Sequence, residues 1–317
     1  MPLISSILAA IIPMFLYLIL LWRLDKNERE SFKNIFKHFL WGAFGAISLG
    51  IIFSIIIEKF VEFYVQQENQ IQFIGVVFIA PFVEEITKGI YLFKNVNGKH
   101  FDNITDGLVY GGAIGLGFGM TENLMYFVNY DETFLQWASL VFTRSVFSAV
   151  MHGIATATFG AFLAKAKFSV SKFKFIFPLV GIALAMFFHF VWNFSVTFDF
   201  TFLFGIIFIF FLILGFIIIF KTSIKTEQKI IAEELLEESV FLGLPDLKNL
   251  NFSKTQNQIF PDNFRNKTLK NFTAKLAFRK FQARNTNENL KEIYNLDIEL
   301  YRKKILNLFI QENKEKI

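Results

Sequence analysis

The sequence has no cysteine among its 317 residues and carries charge on only 19% of them. The missing thiols exclude disulfide bonds, thiolate zinc sites, cysteine nucleophiles and lipidated cysteines. The low charge accompanies 54% hydrophobic residues, 45 phenylalanines and a mean hydropathy of +0.45. A single soluble core of this length would not need so much apolar surface. The composition therefore predicts a protein that uses the lipid bilayer as its solvent.

The apolar residues are concentrated in seven runs before Lys221. Each run reaches the roughly 20 residues with which a helix crosses a bilayer core, and the sequence lacks the alternating pattern of outer-membrane strands. The runs are 2–22, 39–57, 71–93, 105–128, 134–163, 175–198 and 202–220. The first has no basic start and no cleavage pattern, so we expect it to be retained and not cleaved as a signal peptide. These patterns predict an all-α fold, a polytopic transmembrane helical bundle of about seven spans.

The charge balance divides the chain into two domains. Residues 1–220 carry 14 basic and 14 acidic side chains, whereas residues 221–317 carry 18 and 13. We therefore expect a transmembrane domain at 1–220 and a helical cytoplasmic tail at 221–317. The tail's basic charge comes without a nucleic-acid-binding motif, so we expect no nucleic-acid partner. In the last part of the tail, apolar residues are spaced approximately as one face of a helix. We expect this face to pack internally, and a surface for a helical partner is the less favoured alternative. The residues are Leu290, Ile293, Leu296, Leu300, Ile305 and Leu308.

The loop charges predict the orientation in the membrane, because lysine and arginine are retained on the cytoplasmic side. The first, third and fifth loops are basic, whereas the second has one lysine and the fourth and sixth have none. We therefore expect an external amino terminus and a cytoplasmic tail.

The third run contains two carboxylates and a lysine at membrane depth. Glu84 and Glu85 lie about 20 Å along a helix from Ile71, and each buried charge costs on the order of 3 kcal/mol on insertion scales. Pairing with Lys88 at i+3 and i+4 would lower that cost. Pairing does not explain why two glutamates are present, so we favour a functional role.

The fourth run carries a glycine at every fourth residue, followed by Glu122 and Asn123. Gly107, Gly111, Gly115 and Gly119 would form a bare ridge along which another helix can approach closely. Packing explains the glycines, but it leaves Glu122 without an explanation.

Two of the four histidines, His152 and His189, lie in the fifth and sixth runs, whereas His38 and His100 are expected at the membrane interface. Arg144 and Ser148 precede His152 on a broadly shared face. Asn193 follows His189 at i+4 and could orient its imidazole or share its ligand.

Carboxylates and imidazoles enclosed with water can deprotonate that water, stabilise an oxyanion and protonate a leaving amine. The same groups can hold a divalent metal such as zinc, which lowers the pKa of its bound water to about 7. The sequence has no His-Glu-x-x-His and no Gly-x-Gly-Asp, so the corresponding zinc and aspartyl designs are excluded. A Ser148–His152 pair is a minor alternative.

These motifs, in this order, resemble the PrsW family of bacterial intramembrane proteases, which is distantly similar to the prenyl-protein (CAAX) protease and bacteriocin-immunity superfamily. The resemblance covers a core at about 71–193. It is carried by Glu84-Glu85-x-x-Lys88, by Asp106-Gly107 with Glu122-Asn123, by His152, and by His189-x-x-Trp192-Asn193.

The resemblance implies site-1-type cleavage of membrane proteins such as single-span anti-sigma factors. It also implies a location in the cytoplasmic membrane of a bacterium. It implies catalytic roles for a set of six residues, with Lys88, Asn123 and Arg144 in support; the six are Glu84, Glu85, Glu122, His152, His189 and Asn193. A divalent metal, for which zinc is the candidate, would be held by Glu85, Glu122, His152 and His189. A glutamate-activated water without metal also fits these residues.

One geometric question and two other functions stay open at this level. With straight helices, Glu85 and His152 lie about 9 Å from the cytoplasmic boundary, and Glu122 lies nearer the outer one. Either the helix of Glu122 starts deeper, tilts or unwinds, or Glu122 is not one of the residues that act directly at the site. A transporter or channel would use buried carboxylates and histidines as ion sites, although no inverted repeat is visible. A non-catalytic scaffold with a tail partner is the third hypothesis.

Overall fold

The computed structural model describes residues 3–98, 101–130, 133–169, 171–241, 267–285 and 288–314. Within these ranges the chain is helical and contains no strand, which confirms the all-α prediction. The helices are α1 Leu3–Leu24, α2 Phe32–Leu40, α3 Ile47–Glu62, α4 Glu68–Ile74, α5 Ala80–Asn95, α6 Ile104–Val128, α7 Phe134–Thr143, α8 Ala149–Lys167, α9 Ile176–Thr197, α10 Phe202–Phe241, α11 Lys267–Arg284 and α12 Glu288–Lys314.

Three pairs of these helices are continuous through a short π-helical segment. Trp41–Ala46 joins α2 to α3, Gly75–Ile79 joins α4 to α5, and Arg144–Ser148 joins α7 to α8. A π turn absorbs an extra residue and is commonly found at functional sites. Two of these segments lie within two turns of the predicted site residues.

In the described part of the chain, five helices are long and apolar enough to cross a membrane: Leu3–Leu24, Phe32–Glu62, Phe134–Lys167, Ile176–Thr197 and Asp199–Glu238. The predicted runs 71–93 and 105–128 are also helical, but charged side chains in the first and glycines in the second reduce their hydropathy. The polytopic bundle is thus present, whereas the count of seven spans is not confirmed.

Helix α6 lies at the centre of the bundle and packs against α1, α2 and α8. Its start is fixed by a capping box, in which Asn103 Oδ1 accepts from the Asp106 backbone N–H at 2.8 Å and Asp106 Oδ2 accepts from the Asn103 N–H at 3.1 Å. Asp106 is therefore occupied in starting the helix.

The glycines of α6 allow backbones to approach closely on more than one face. A Cβ atom at Gly111 or Gly115 would overlap backbone atoms of Thr156 and His152 in α8, and one at Gly117 would overlap the Phe39 carbonyl of α2. Small residues are typical of such close helix contacts in membranes.

His38 is buried within the protein, and its position at the membrane interface stays a prediction. Its side chain is 6% exposed, stacks on Tyr110 at 4.2 Å between ring centres and meets Tyr91 edge-on at 4.9 Å. The ring is held by a 2.8 Å hydrogen bond between Nδ1 and the Asn34 carbonyl, in which Nδ1 is the donor. His100 lies outside the described residues.

The chain forms two compact units. The membrane unit comprises Met1–Leu24, Glu30–Lys167 and Ser171–Phe220, and the tail unit comprises Asp25–Arg29, Phe168–Val170 and Lys221–Ile317. In the tail unit, Lys280 of α11 lies 2.9 Å from Glu238 and 3.2 Å from Glu237 of α10. Arg302 of α12 donates two hydrogen bonds to Glu238, at 2.6 and 2.9 Å. Ion pairs therefore connect α10 to α11 and to α12.

The apolar residues of α12 do not form the single packing face that their spacing indicated. Ile305 is buried against α11, and Leu290 and Leu308 pack beside it. Leu296, by contrast, is 70% exposed. The buried face follows Tyr294 and Ile298 instead, because the neighbouring helix, and not the spacing alone, selects which side is covered.

Candidate active site

The site begins with a buried lysine on α5. Lys88 is fully buried, and its Nζ donates to Glu85 Oε1 at 2.7 Å and lies 3.6 Å from Glu84 Oε2. The ammonium also lies 3.9 Å from the centre of the Phe118 ring on α6. These contacts compensate a charge that would otherwise be very unfavourable in an apolar bundle.

His152 of α8 connects this lysine to Glu122 of α6. Its Nδ1 lies 2.9 Å from Lys88 Nζ and its Nε2 lies 2.7 Å from Glu122 Oε2. An ammonium only donates and a carboxylate only accepts, so Nδ1 is the acceptor and Nε2 carries the hydrogen. Both ring nitrogens are thus engaged.

Glu122 and His152 meet because α6 and α8 are antiparallel neighbours in close contact. Gly115 lies against His152, and Gly119 lies against Ala149 one turn away. Side chains lean toward the amino end of their own helix, so Glu122 leans toward Gly119 while His152 leans toward Ala149. The straight-helix expectation that separated Glu122 from His152 is wrong, since packing sets the relative height of α6 and α8 and brings the two side chains to 2.7 Å.

Arg144, in the π-helical segment before α8, holds the other side of Glu122. Its guanidinium lies 2.9 Å from Glu122 Oε1, donates from Nε to Asn123 Oδ1 at 3.0 Å, and covers the Tyr126 ring at 3.6 Å. With both carboxylate oxygens engaged, Glu122 has one fixed position.

His189 of α9 completes the cluster. Its Nδ1 donates to Glu85 Oε1 at 3.1 Å, while Thr156 donates to Glu85 Oε2 at 3.2 Å. The hydrogen on Nδ1 leaves the lone pair on Nε2, which lies 3.9 Å from Glu84 Oε2. A carboxylate behind an imidazole is the usual outer partner of a metal-binding histidine.

Glu84, His152 and His189 each offer a ligand atom, and the three atoms lie within 4.8 Å of one another. Glu84 Oε2 is buried and accepts no hydrogen bond within the part of the chain that the structure describes. One carboxylate and two imidazoles form a donor set suited to zinc, so these residues fit a divalent metal. For His152 to bind a metal, one of its two hydrogen bonds, to Lys88 or to Glu122, would have to break and free a ring nitrogen.

This grouping differs from the predicted metal ligands. Glu85 and Glu122 lie outside the three-residue group and instead hydrogen-bond to the imidazoles of His189 and His152. The charges also favour a cation, since three carboxylates face one ammonium and one guanidinium around two neutral rings.

Two predicted residues lie apart from the cluster. Asn193 donates from Nδ2 to the Val76 carbonyl at 2.8 Å. Ser148 Oγ accepts from Trp192 Nε1 at 2.9 Å, and His152 is fully engaged elsewhere. The structure therefore does not form the Ser148–His152 pair.

Sequence reasoning missed several supporting residues. Thr156 donates to Glu85, the Phe118 ring contacts the Lys88 ammonium, and the Tyr126 ring lies against the Arg144 guanidinium. Thr156 lies one helical turn after His152, and this spacing was the one sequence feature that could have indicated its role. The two rings come from apolar runs in which no local pattern distinguishes them.

The comparisons with known proteins match this part of the chain. Residues 30–220 match the model of the PrsW family intramembrane metalloprotease. Protease PrsW of Clostridioides difficile (strain 630) is 30% identical over 191 residues, covering 58% of this chain and 77% of that protein. Protease PrsW of Bacillus subtilis (strain 168) is 24% identical over 180 residues, covering 55% and 74%. That of Geobacillus kaustophilus (strain HTA426) is 26% identical over 194 residues, covering 60% and 78%.

No solved structure gives a significant match to this chain. The family match nevertheless contains every residue of the cluster, from Glu84 on α5 to His189 on α9. Because one match takes in both the apolar helices and the buried carboxylates and imidazoles, the chain belongs to the PrsW family of intramembrane metalloproteases.

Proposed function

We propose that the cluster formed by Glu84, Glu85, Glu122, His152 and His189 is the proteolytic centre of this membrane-embedded peptidase. The observation that carries the proposal is the buried Glu84 Oε2, which has no hydrogen-bond partner among the described residues. It lies 3.6 Å from Lys88 Nζ and 3.9 Å from His189 Nε2, which carries the lone pair of that ring. Buried polar atoms are normally satisfied, so an exception surrounded by imidazoles is best explained by a ligand or a proton transfer.

We assign the metal ligands to Glu84, His152 and His189, with zinc as the candidate ion. When bound, such an ion lowers the pKa of a coordinated water and polarises the peptide carbonyl. Glu85 fixes the tautomer of His189, while Glu122 and Arg144 fix the ring of His152. Lys88 balances the carboxylate charge.

Without a metal, Glu84 Oε2 would instead accept the proton of an attacking water. The two roles of Glu84 use the same oxygen and are therefore alternatives. Metal content distinguishes them.

The substrate class follows from the location of the cluster among apolar helices. We propose that the substrate is a membrane protein, and that single-span anti-sigma factors are the class to test first. We also propose a bacterial cytoplasmic membrane location, with the amino terminus outside and the tail inside. The transporter and scaffold hypotheses are not favoured, because neither accounts for the family match.

The test combines metal analysis of the purified protein with cleavage of a single-span substrate. We expect bound divalent metal in the wild-type protein, and in His189→Ala we expect loss of both metal and cleavage with normal membrane accumulation. His38→Gln is the matched control, because His38 is buried outside the cluster. Wild-type cleavage by His189→Ala would overturn the assignment of the site. Chelator-resistant cleavage by a metal-free protein would leave Glu84 as the proton acceptor.

A further inference from the structure

The π-helical segment before α5 ends at a proline. The backbone N–H of Ala80 donates to the Gly75 carbonyl, five residues earlier, and the next residue is Pro81. An α-helical bond to the Val76 carbonyl would come from the N–H of Ala80, and a π-helical bond would come from the N–H of residue 81. Ala80 is engaged by Gly75, and proline has no N–H. Pro81 thus removes the π-helical donor of the Val76 carbonyl, and the N–H of Ala80 is directed to Gly75 instead.

Asn193 of α9 supplies the missing donor. Its Nδ2 lies 2.8 Å from the Val76 oxygen, and since a carbonyl only accepts, the amide must donate. The Val76 side chain lies on the exposed, apolar surface of the membrane unit. In hydrocarbon no water replaces a lost partner, so a bare carbonyl there is strongly unfavourable.

The hydrogen bond lies between the two helices that carry the carboxylates and His189. Val76 lies about two turns before Glu84 and Glu85, and Asn193 lies one turn after His189. The same pair of helices is joined again by the Glu85–His189 hydrogen bond of 3.1 Å. Two contacts at different heights fix both the separation and the rotation of α9 relative to α5.

We propose that Asn193 is a positioning residue whose role is created by Pro81: it replaces the backbone donor that Pro81 removes and so holds His189 against Glu85. The proposal for Asn193 rests on the proposed function only where cleavage activity is the measurement. It differs from a direct role of Asn193 on substrate, because it makes the requirement for Asn193 conditional on proline at position 81.

A double-mutant comparison tests this condition. Pro81→Ala restores an N–H that can satisfy Val76. We expect Asn193→Ala to lower kcat about tenfold or more when Pro81 is present, since a shift of about 1 Å can cost a hundredfold. In the Pro81→Ala background the same change should cost less than about threefold, because the two sites share one partner. Equal losses in both backgrounds would show that Asn193 acts directly, and would overturn the proposal. If Pro81→Ala does not accumulate, Pro81→Ser restores the same N–H.

A second readout does not depend on proteolysis. The chain has no cysteine, so cysteines introduced at Phe78 and Phe190, whose ring centres lie 5.3 Å apart, report the gap between the two segments. Cross-linking by a short thiol reagent should slow in Asn193→Ala and recover when Pro81→Ala is added. A cross-linking rate that Asn193→Ala leaves unchanged would contradict the proposal, even if the protein proved to have no protease activity.

Discussion

Two adjacent glutamates on α5 have opposite surroundings. Glu85 is held by Lys88, Thr156 and His189. Among the described residues, Glu84 Oε2 is buried without a hydrogen bond, and Lys88 Nζ lies 3.6 Å from it. Successive residues of a helix point about 100° apart, so neighbours in sequence reach different partners. Glu85 is consequently suited to holding the site, and Glu84 is suited to binding or proton transfer.

This difference predicts different outcomes for the two matched substitutions. Glu84→Gln should lower kcat by about a hundredfold or more, since it removes a proton acceptor or ligand, with little change in stability. Glu85→Gln should also abolish cleavage, and it should in addition lower the free energy of unfolding by about 3 kcal/mol, because it leaves Lys88 buried without its closest counter-ion. Cleavage assays and thermal unfolding in detergent measure both effects. Equal stability losses in the two variants would contradict the assignment.

The contact between α6 and α8 sets the separation of Glu122 and His152. A Cβ atom at Gly115 would overlap the His152 carbonyl, whereas one at Gly153 would lie 3.5 Å from the Leu116 side chain, an ordinary contact. The same two helices therefore contain one glycine that must stay bare and one that can accept a methyl group.

Substitution of Gly115 should therefore reduce the cleavage rate much more than it reduces insertion of the protein into the membrane. We expect Gly115→Ala to lower the cleavage rate about tenfold and Gly115→Leu about a hundredfold, because displacement of a catalytic group by about 1 Å can cost that much. Insertion should persist, since leucine is the more hydrophobic residue. Gly153→Ala is the control and should keep most of the activity. Normal cleavage by Gly115→Leu would mean that this contact does not set the geometry of the site.

At the scale of the whole molecule, the order of basic and neutral loops predicts the orientation. Reporter fusions at Asp131 and Ser171 should show opposite sides, external at Asp131 and cytoplasmic at Ser171. The two positions lie on either side of the continuous helix Phe134–Lys167, formed by α7 and α8. Among the described residues this helix is long and apolar enough to cross the membrane. Reporters on the same side would disprove the alternating arrangement and the external amino terminus.

The sequence by itself determined the class of the protein and most of the residues in its buried cluster. Hydropathy over about 20 residues is a local property, and so is the fourfold spacing of the α6 glycines, which the structure places against α8. The sequence also identified the ionisable residues of the cluster, because burying a charged or imidazole side chain in lipid is unfavourable whichever helices are neighbours. These residues are Glu84, Glu85, Glu122, His152 and His189.

Only the tertiary structure decided how those residues divide their roles. The contact of Glu122 with His152 depends on which helices are neighbours and on their relative height. The lack of a hydrogen bond to Glu84 Oε2 among the described residues depends on Lys88, which lies closer to Glu85, at 2.7 Å, than to Glu84, at 3.6 Å. The attachment of Asn193 to Val76 depends on a π turn that ends at Pro81. These contacts join positions far apart in the chain, and the helix register that creates them is set by packing between helices, which no local pattern encodes.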